Sequence, residues 1–145
     1  MSKLPSSREE VAQILSERDL HIYDMVSYNI SLLKKSIETY RTGIFDCEYD
    51  ISILEAFVES NTEALRTLKG SSIPPIDEIK KIKREIKIVK IKIDYIKQQM
   101  KTFEEIISDR SEELSKNQRQ LEQMIYSAIN SKVVSYEDFK SRRNK

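Results

Sequence analysis

The sequence predicts an all-α protein built on two long helices that fold back as an antiparallel coiled-coil hairpin. Three observations predict it. Chain breakers are scarce: the 145 residues include two glycines and three prolines. A β-sandwich or an α/β domain needs turn residues roughly every ten positions. Charged residues make up 34% of the chain and Trp is absent, a composition that suits long helices. Finally, apolar residues recur at alternating three- and four-residue steps through both halves, the spacing of a heptad seam.

Residues 1–6 are expected to be a disordered start. The run "SSREE" then offers a helix cap, Ser6 or Ser7 with an acidic residue three positions on. Helix 1 is expected over 7–69. Its seam runs through Tyr23, Val26, Ile30, Leu33, Ile37, Tyr40, Ile44, Cys47, Ile51, Leu54, Val58, Asn61, Leu65 and Leu68. The register passes Gly43 without a skip, which keeps Gly43 inside the helix at a cost of about 1 kcal/mol relative to Ala. The turn falls at 70–75, "GSSIPP". Gly70 is suited to a left-handed C-cap, Pro74 and Pro75 cannot extend helix 1, and Pro75 can open the next helix.

Helix 2 is expected over 76–131. Its most distinctive part, "EIKIVKIKI", alternates like a strand, but the alternation breaks at Ile88–Val89 and would turn the apolar side over. Read as a helix, Ile79, Ile82, Ile86, Val89, Ile93, Ile96, Met100, Phe103 and Ile107 share one seam. It continues through Arg110, Leu114, Asn117, Leu121, Met124 and Ala128. Beyond 131 the heptad is lost. Residues 132–145 are expected to be a tail or a short docking helix capped by Ser135, with Tyr136 and Phe139 as its apolar contacts.

The two seams match when positions whose numbers sum to 147 are paired. Leu68 then faces Ile79, Leu54 faces Ile93, Cys47 faces Met100, Ile44 faces Phe103 and Leu33 faces Leu114. Charge agrees with this pairing. Residues 46–63 hold six acids and no Lys or Arg, whereas their images, 84–101, hold six bases against Glu85 and Asp94. Helix 1 is therefore an acidic arm and helix 2 a basic arm. Exposed ion pairs stabilise little, but they select partner and orientation. The polar seam residues face apolar ones: Asn61 opposite Ile86, Asn117 opposite Ile30, and Arg110 opposite Ile37. They are expected to fix register, and Arg110 can carry its charge out to solvent.

More apolar side chains are present than one seam can cover. Phe45, Tyr49, Ile53 and Phe57 recur every four residues outside the seam of helix 1, and Ile88, Ile91 and Tyr95 lie outside that of helix 2. Met25, Tyr28 and Leu32 form a further group. Such surface marks an interface, so self-association or docking into a larger helical assembly is expected. A break of helix 1 near residues 19–22, folding it over itself, is the competing way to cover them.

No catalytic, metal-binding or cofactor-binding constellation is legible. His21 and Cys47 lie 26 residues apart, about 39 Å along a helix, too far for a nucleophile–base pair. Neither metal-ligand spacing nor a glycine-rich phosphate loop occurs. Cys47 is expected in the core, and a lone cysteine suits a reducing compartment. The opening residues lack the apolar core of a secretory signal, and no apolar run is long enough to span a membrane. A cytoplasmic protein, or one held within a virus particle, is expected.

Two functions remain. The first is a non-enzymatic structural or adaptor protein, a spacer or assembly component of a larger complex, with a virion or phage component as an instance. Its partner is another protein or a second copy. The second is a nucleic-acid-binding accessory factor that tracks phosphates with Lys80, Lys81, Lys83, Arg84, Lys87 and Lys90. A net charge of +1 weighs against it, as does the lack of aromatic residues alternating with basic ones.

Overall fold

The structure is a computed structural model that describes Pro5 and residues 7–143, with the side chains of Pro5 and residues 7–131. It consists of α1 (Arg8–Ile14), α2 (Glu17–Lys69) and α3 (Ile76–Arg143). Among the described residues there is no strand. The two long helices, α2 and α3, pack against each other as a helical hairpin. The expected disordered start, 1–6, lies outside the described residues apart from Pro5.

Three sequence expectations need correction. The helix expected over 7–69 is two helices, divided at Leu15 and Ser16 rather than near 19–22. Leu15 turns extended, with φ −83° and ψ 147°, and its N–H still bonds to the Val11 carbonyl. Ser16 then starts α2: its Oγ accepts the Asp19 N–H at 3.2 Å and its carbonyl accepts the Leu20 N–H at 2.8 Å. Such a cap stabilises a helix start by about 0.5–2 kcal/mol. Ser7 caps α1 in the same way, taking the Glu10 N–H at 3.2 Å. Two cap signals nine residues apart therefore each start a helix.

The second correction concerns Gly70. No glycine has a positive φ, so the left-handed cap is not used. The end of α2 continues as a turn, with Gly70 N–H bonded to the Arg66 carbonyl and Ser71 N–H to that of Leu68. Pro74 and Pro75 then stop the helical course. The Pro75 carbonyl accepts the Ile79 N–H at 3.0 Å and starts α3. Third, the backbone of α3 runs on to Arg143 rather than ending near 131. No Gly or Pro follows residue 75, so losing the heptad removes the partner face without breaking the helix.

The chain divides into two compact units, Ile37–Ser108 and the pairing of Met1–Ser36 with Asp109–Lys145. In the first, Ile37, Cys47 and Ile93 are buried, and the remaining seam residues are half-buried. That is the burial a contact between two helices provides. Gly43 stays helical and lies directly under the ring of Phe103, which also packs against Tyr40 at a centroid distance of 5.5 Å.

The second unit has a third helix to close its core. Val11 and Leu15, at the end of α1, bury against Ile125, with Leu20, Tyr23, Met124, Ala128 and Ile129 packed around them. Val11 is fully buried. Arg8 anchors α1 to α2 through a two-pronged contact with Asp24, Nε to Oδ1 at 3.0 Å and Nη2 to Oδ2 at 2.9 Å. Further along, Asn29 Nδ2 donates to Asn117 Oδ1 at 3.2 Å across α2 and α3.

Candidate protein interface

The outer apolar residues of Ile37–Ser108 do not form one stripe. Ile91, Lys92, Tyr95 and Ile96 of α3 line a groove with Leu54 of α2. A second groove at the same level is lined by Glu55 and Val58 of α2 and by Lys90, Ile93, Asp94 and Lys97 of α3. The two share no residue, and a pair of helices has two flanks. One flank is thus apolar and the other charged. An acid–base contact crosses the charged flank, Lys97 Nζ to Glu55 Oε1 at 4.0 Å, with both side chains more than half exposed. At that distance and exposure it contributes little beyond orientation.

Helical spacing assigns the rest. Ile88, Ile91 and Tyr95 follow one another at three- and four-residue steps, which places them together on α3. On α2, Ile53 and Phe57 each precede a seam residue by one, as Lys92 and Tyr95 do on α3, and in an antiparallel pair equal offsets from the seam fall on the same flank. All five apolar side chains are exposed, from 40% for Phe57 to 69% for Tyr95. Tyr49 sits on the back of α2, opposite the seam. Phe45 belongs elsewhere, beside Glu38, Arg41 and Thr42. Of the residues expected at an interface, Ile91 and Tyr95 share the groove, and helical spacing puts Ile53, Phe57 and Ile88 on the same flank. Phe45 and Tyr49 are exposed but separate. Tyr136 and Phe139 lie outside the residues whose side chains are described.

Leu54, Lys92 and Ile96 line the groove although the sequence pattern does not single them out for an interface. Leu54 belongs to the seam by its spacing, yet it is only half-buried and reaches the groove edge. Other exposed apolar side chains are Met25, Tyr28 and Leu32 on α2, Ile73 in the turn, and Ile76 and Tyr126 on α3.

Lys80, Lys81, Lys83, Arg84, Lys87 and Lys90 are all exposed along the first turns of α3. They do not form a single track. Lys80, Lys83, Lys87 and Lys90 follow the helical repeat toward the charged flank, Arg84 borders Lys80 and Lys87 on their outer side, and Lys81 lies furthest round the helix. Lys90 shares its groove with Glu55 and Asp94, so a phosphate there would meet carboxylates as well as ammonium groups.

The titratable groups with displaced pKa values lie away from this flank or beneath it. Burial, then the carboxylates of Asp50 and Asp46, pushes the Cys47 thiol up. A thiol held in its protonated form is a poor nucleophile. The Arg8 hydrogen bonds hold Asp24 below its usual value, against a smaller opposing effect of desolvation. His21 is exposed. Among the described residues no group of three or more His, Cys, Asp and Glu side chains is placed to hold a metal ion. No helix among them is long and apolar enough to cross a membrane.

The polar seam residues each find a local answer. Asn61 Nδ2 donates to the Phe57 carbonyl at 2.9 Å. Arg110 is exposed and reaches Glu113 at 3.9 Å. Asn117 donates to the Glu113 carbonyl at 2.8 Å while accepting from Asn29, a partner just off the seam.

Comparisons with protein-family models, with curated proteins and with solved structures find no match to this chain.

Proposed function

We propose that this chain is a non-enzymatic structural or adaptor protein, whose hairpin presents an apolar flank for docking within a larger helical assembly. The observation that carries this reading is the flank itself. Ile91 and Tyr95 line a groove with Leu54, and Ile53, Phe57 and Ile88 stand exposed on the same flank by helical spacing. Apolar surface gathered in this way is the mark of a protein contact. Long paired helices serve as spacers because their side-chain packing resists bending. A component of a virus particle is one setting for such a spacer, and the cytoplasm is the other.

The alternative is a nucleic-acid-binding accessory factor that uses Lys80, Lys83, Lys87 and Lys90. Their exposure and helical repeat favour it. The carboxylates beside Lys90 oppose it.

Binding of the full chain to duplex DNA and to single-stranded RNA, followed across a salt series, separates the two. A phosphate-tracking protein loses affinity steeply with salt, in proportion to the number of phosphates contacted. The scaffold reading expects no binding at physiological ionic strength. Tight, salt-sensitive binding that is abolished by Lys83→Gln, Lys87→Gln and Lys90→Gln together would replace it with the alternative.

A further inference from the structure

The apolar flank has two halves that differ in charge, and this restricts what can cover it. On α2, the exposed Asp46 and Asp50 continue the stripe of Ile53 and Phe57 at steps of three and four residues. On α3, Lys92 lines the groove between Ile91 and Tyr95 and is the base at this level of the flank. A partner laid on this flank must offer a basic apolar helix over α2 and an acidic apolar helix over α3, side by side at helix-packing distance. This chain is itself such an object.

Symmetry allows two ways of laying a second copy flank to flank. A two-fold axis at right angles to the helices puts α2 on α2 and α3 on α3, acid against acid and base against base. A two-fold axis parallel to the helices puts α2 of each copy on α3 of the other. Only the second places opposite charges together on both sides. It also sets Ile53 and Phe57 against Ile88, Ile91 and Tyr95 of the second copy, apolar on apolar, and turns the groove residue Lys92 toward the acidic segment 46–63 of that copy. The facing helices then run antiparallel, as they do in bundles joined by short loops. Isologous contacts of this kind close on themselves and leave the opposite flank in solvent. That flank is suited to solvent, because Glu55, Lys90, Asp94 and Lys97 line it.

We propose that a second copy of this chain docks on the flank of Ile53, Phe57, Ile88, Ile91 and Tyr95, related by a two-fold axis parallel to the helices, to form a four-helix bundle. This rests on the scaffold reading above and names the partner for that surface.

Sedimentation equilibrium of the full chain tests the pairing. The expected particle has twice the 17.0 kDa chain mass. The variant Ile91→Ser/Tyr95→Ser, and separately Ile53→Ser/Phe57→Ser, should each weaken association by roughly tenfold or more, the loss typical of central contacts. Helical circular dichroism should stay at the parent level, because these side chains are outside the seam. Lys97→Ser, on the charged flank, should leave the mass unchanged. Two variants that both keep the parent mass would overturn the proposal, and so would a parent that stays monomeric at millimolar concentration. The latter result leaves the scaffold reading standing on its own nucleic-acid test.

Crosslinking tests the orientation. In a Cys47→Ser background, copies carrying Phe57→Cys are mixed with copies carrying Ile88→Cys. Disulfides between the two kinds of copy are expected. Disulfides formed only between two Phe57→Cys copies would place α2 on α2 and overturn the proposed axis.

Discussion

The ring of Phe103 rests on the bare Cα of Gly43. A Cβ at position 43 would stand 3.1 Å from Phe103 Cε2 and 3.3 Å from Cδ2, closer than a side chain ordinarily approaches a ring. Glycine costs a helix about 1 kcal/mol relative to alanine. Here that cost admits an aromatic side chain between two helices, where Tyr40 also meets it.

Gly43→Val is therefore expected to destabilise the chain by roughly 1–3 kcal/mol, the range for overpacked cores. Gly43→Ala should fall near neutral, since better helix propensity offsets a slightly displaced ring. Denaturant melts followed by circular dichroism measure both. A valine variant as stable as the parent would mean that the ring has room to move aside.

The Asn29–Asn117 hydrogen bond is a polar contact that ties α2 to α3 in the unit containing α1. Replacing both residues with alanine in a double-mutant cycle should give a coupling energy of roughly 0.5–1.5 kcal/mol, that of one part-buried hydrogen bond. Additive single effects would show that the two amides ignore each other in solution.

The hairpin was legible because its seam persists. The seam positions from Ile44 to Val58 and from Ile79 to Ile107 are apolar because two helices meet there, and the structure buries or half-buries them. The break at Leu15–Ser16 was less visible for a definite reason. Extending the seam spacing upstream from Tyr23 reaches Asp19 and Ser16, while the apolar residues Val11 and Leu15 fall out of register. That mismatch, together with the cap signal Ser16 to Asp19, marks the end of one helix and the start of another. Ile125 and Ile129 carry the reciprocal signal: they sit beside the seam of α3 and meet α1 rather than α2 alone. The excess of apolar side chains over one seam was legible. Which of them share a flank was not, because that depends on how the grooves between packed helices fall.

Cys47 supplies a test at alkaline pH. Its native pKa is raised by burial and by Asp50 and Asp46. The unfolded thiol ionises at about pH 8.5, so this group's share of stability is complete below that value. It is lost as pH rises through the higher native pKa. Alkylation by iodoacetamide at mildly alkaline pH should be many times slower in the native chain than in denaturant. Equal rates would place the thiol at the surface.

The Arg8–Asp24 contact acts at the opposite end of the pH scale. The Asp24 pKa is lowered in the folded chain, chiefly by the hydrogen bonds from Arg8. Its contribution is present above the unfolded value of about 3.9 and is lost as pH falls through the lower native pKa. Arg8→Ala should speed hydrogen exchange of the amides of Val11 and Leu15 and leave those of Cys47 and Ile93 unchanged. Uniform exchange across both groups would show that α1 does not open separately. Because Arg8 is exposed and Asp24 partly so, added salt should mimic the substitution in part.

The order of the helices has a consequence for a chain still being made. Synthesis delivers α2 before α3, and the residue that covers Gly43 is Phe103, on the far side of the turn. At about 5–20 residues per second, α2 waits on the order of seconds with its seam uncovered. Two growing chains on one messenger would then hold bare Ile44, Ile51, Leu54 and Val58 toward each other. The six acids of 46–63, with no base among them, give those growing chains like charge, and like charge keeps them apart. Neutralisation comes with α3, when the basic arm emerges from the same ribosome and closes on its own acidic arm.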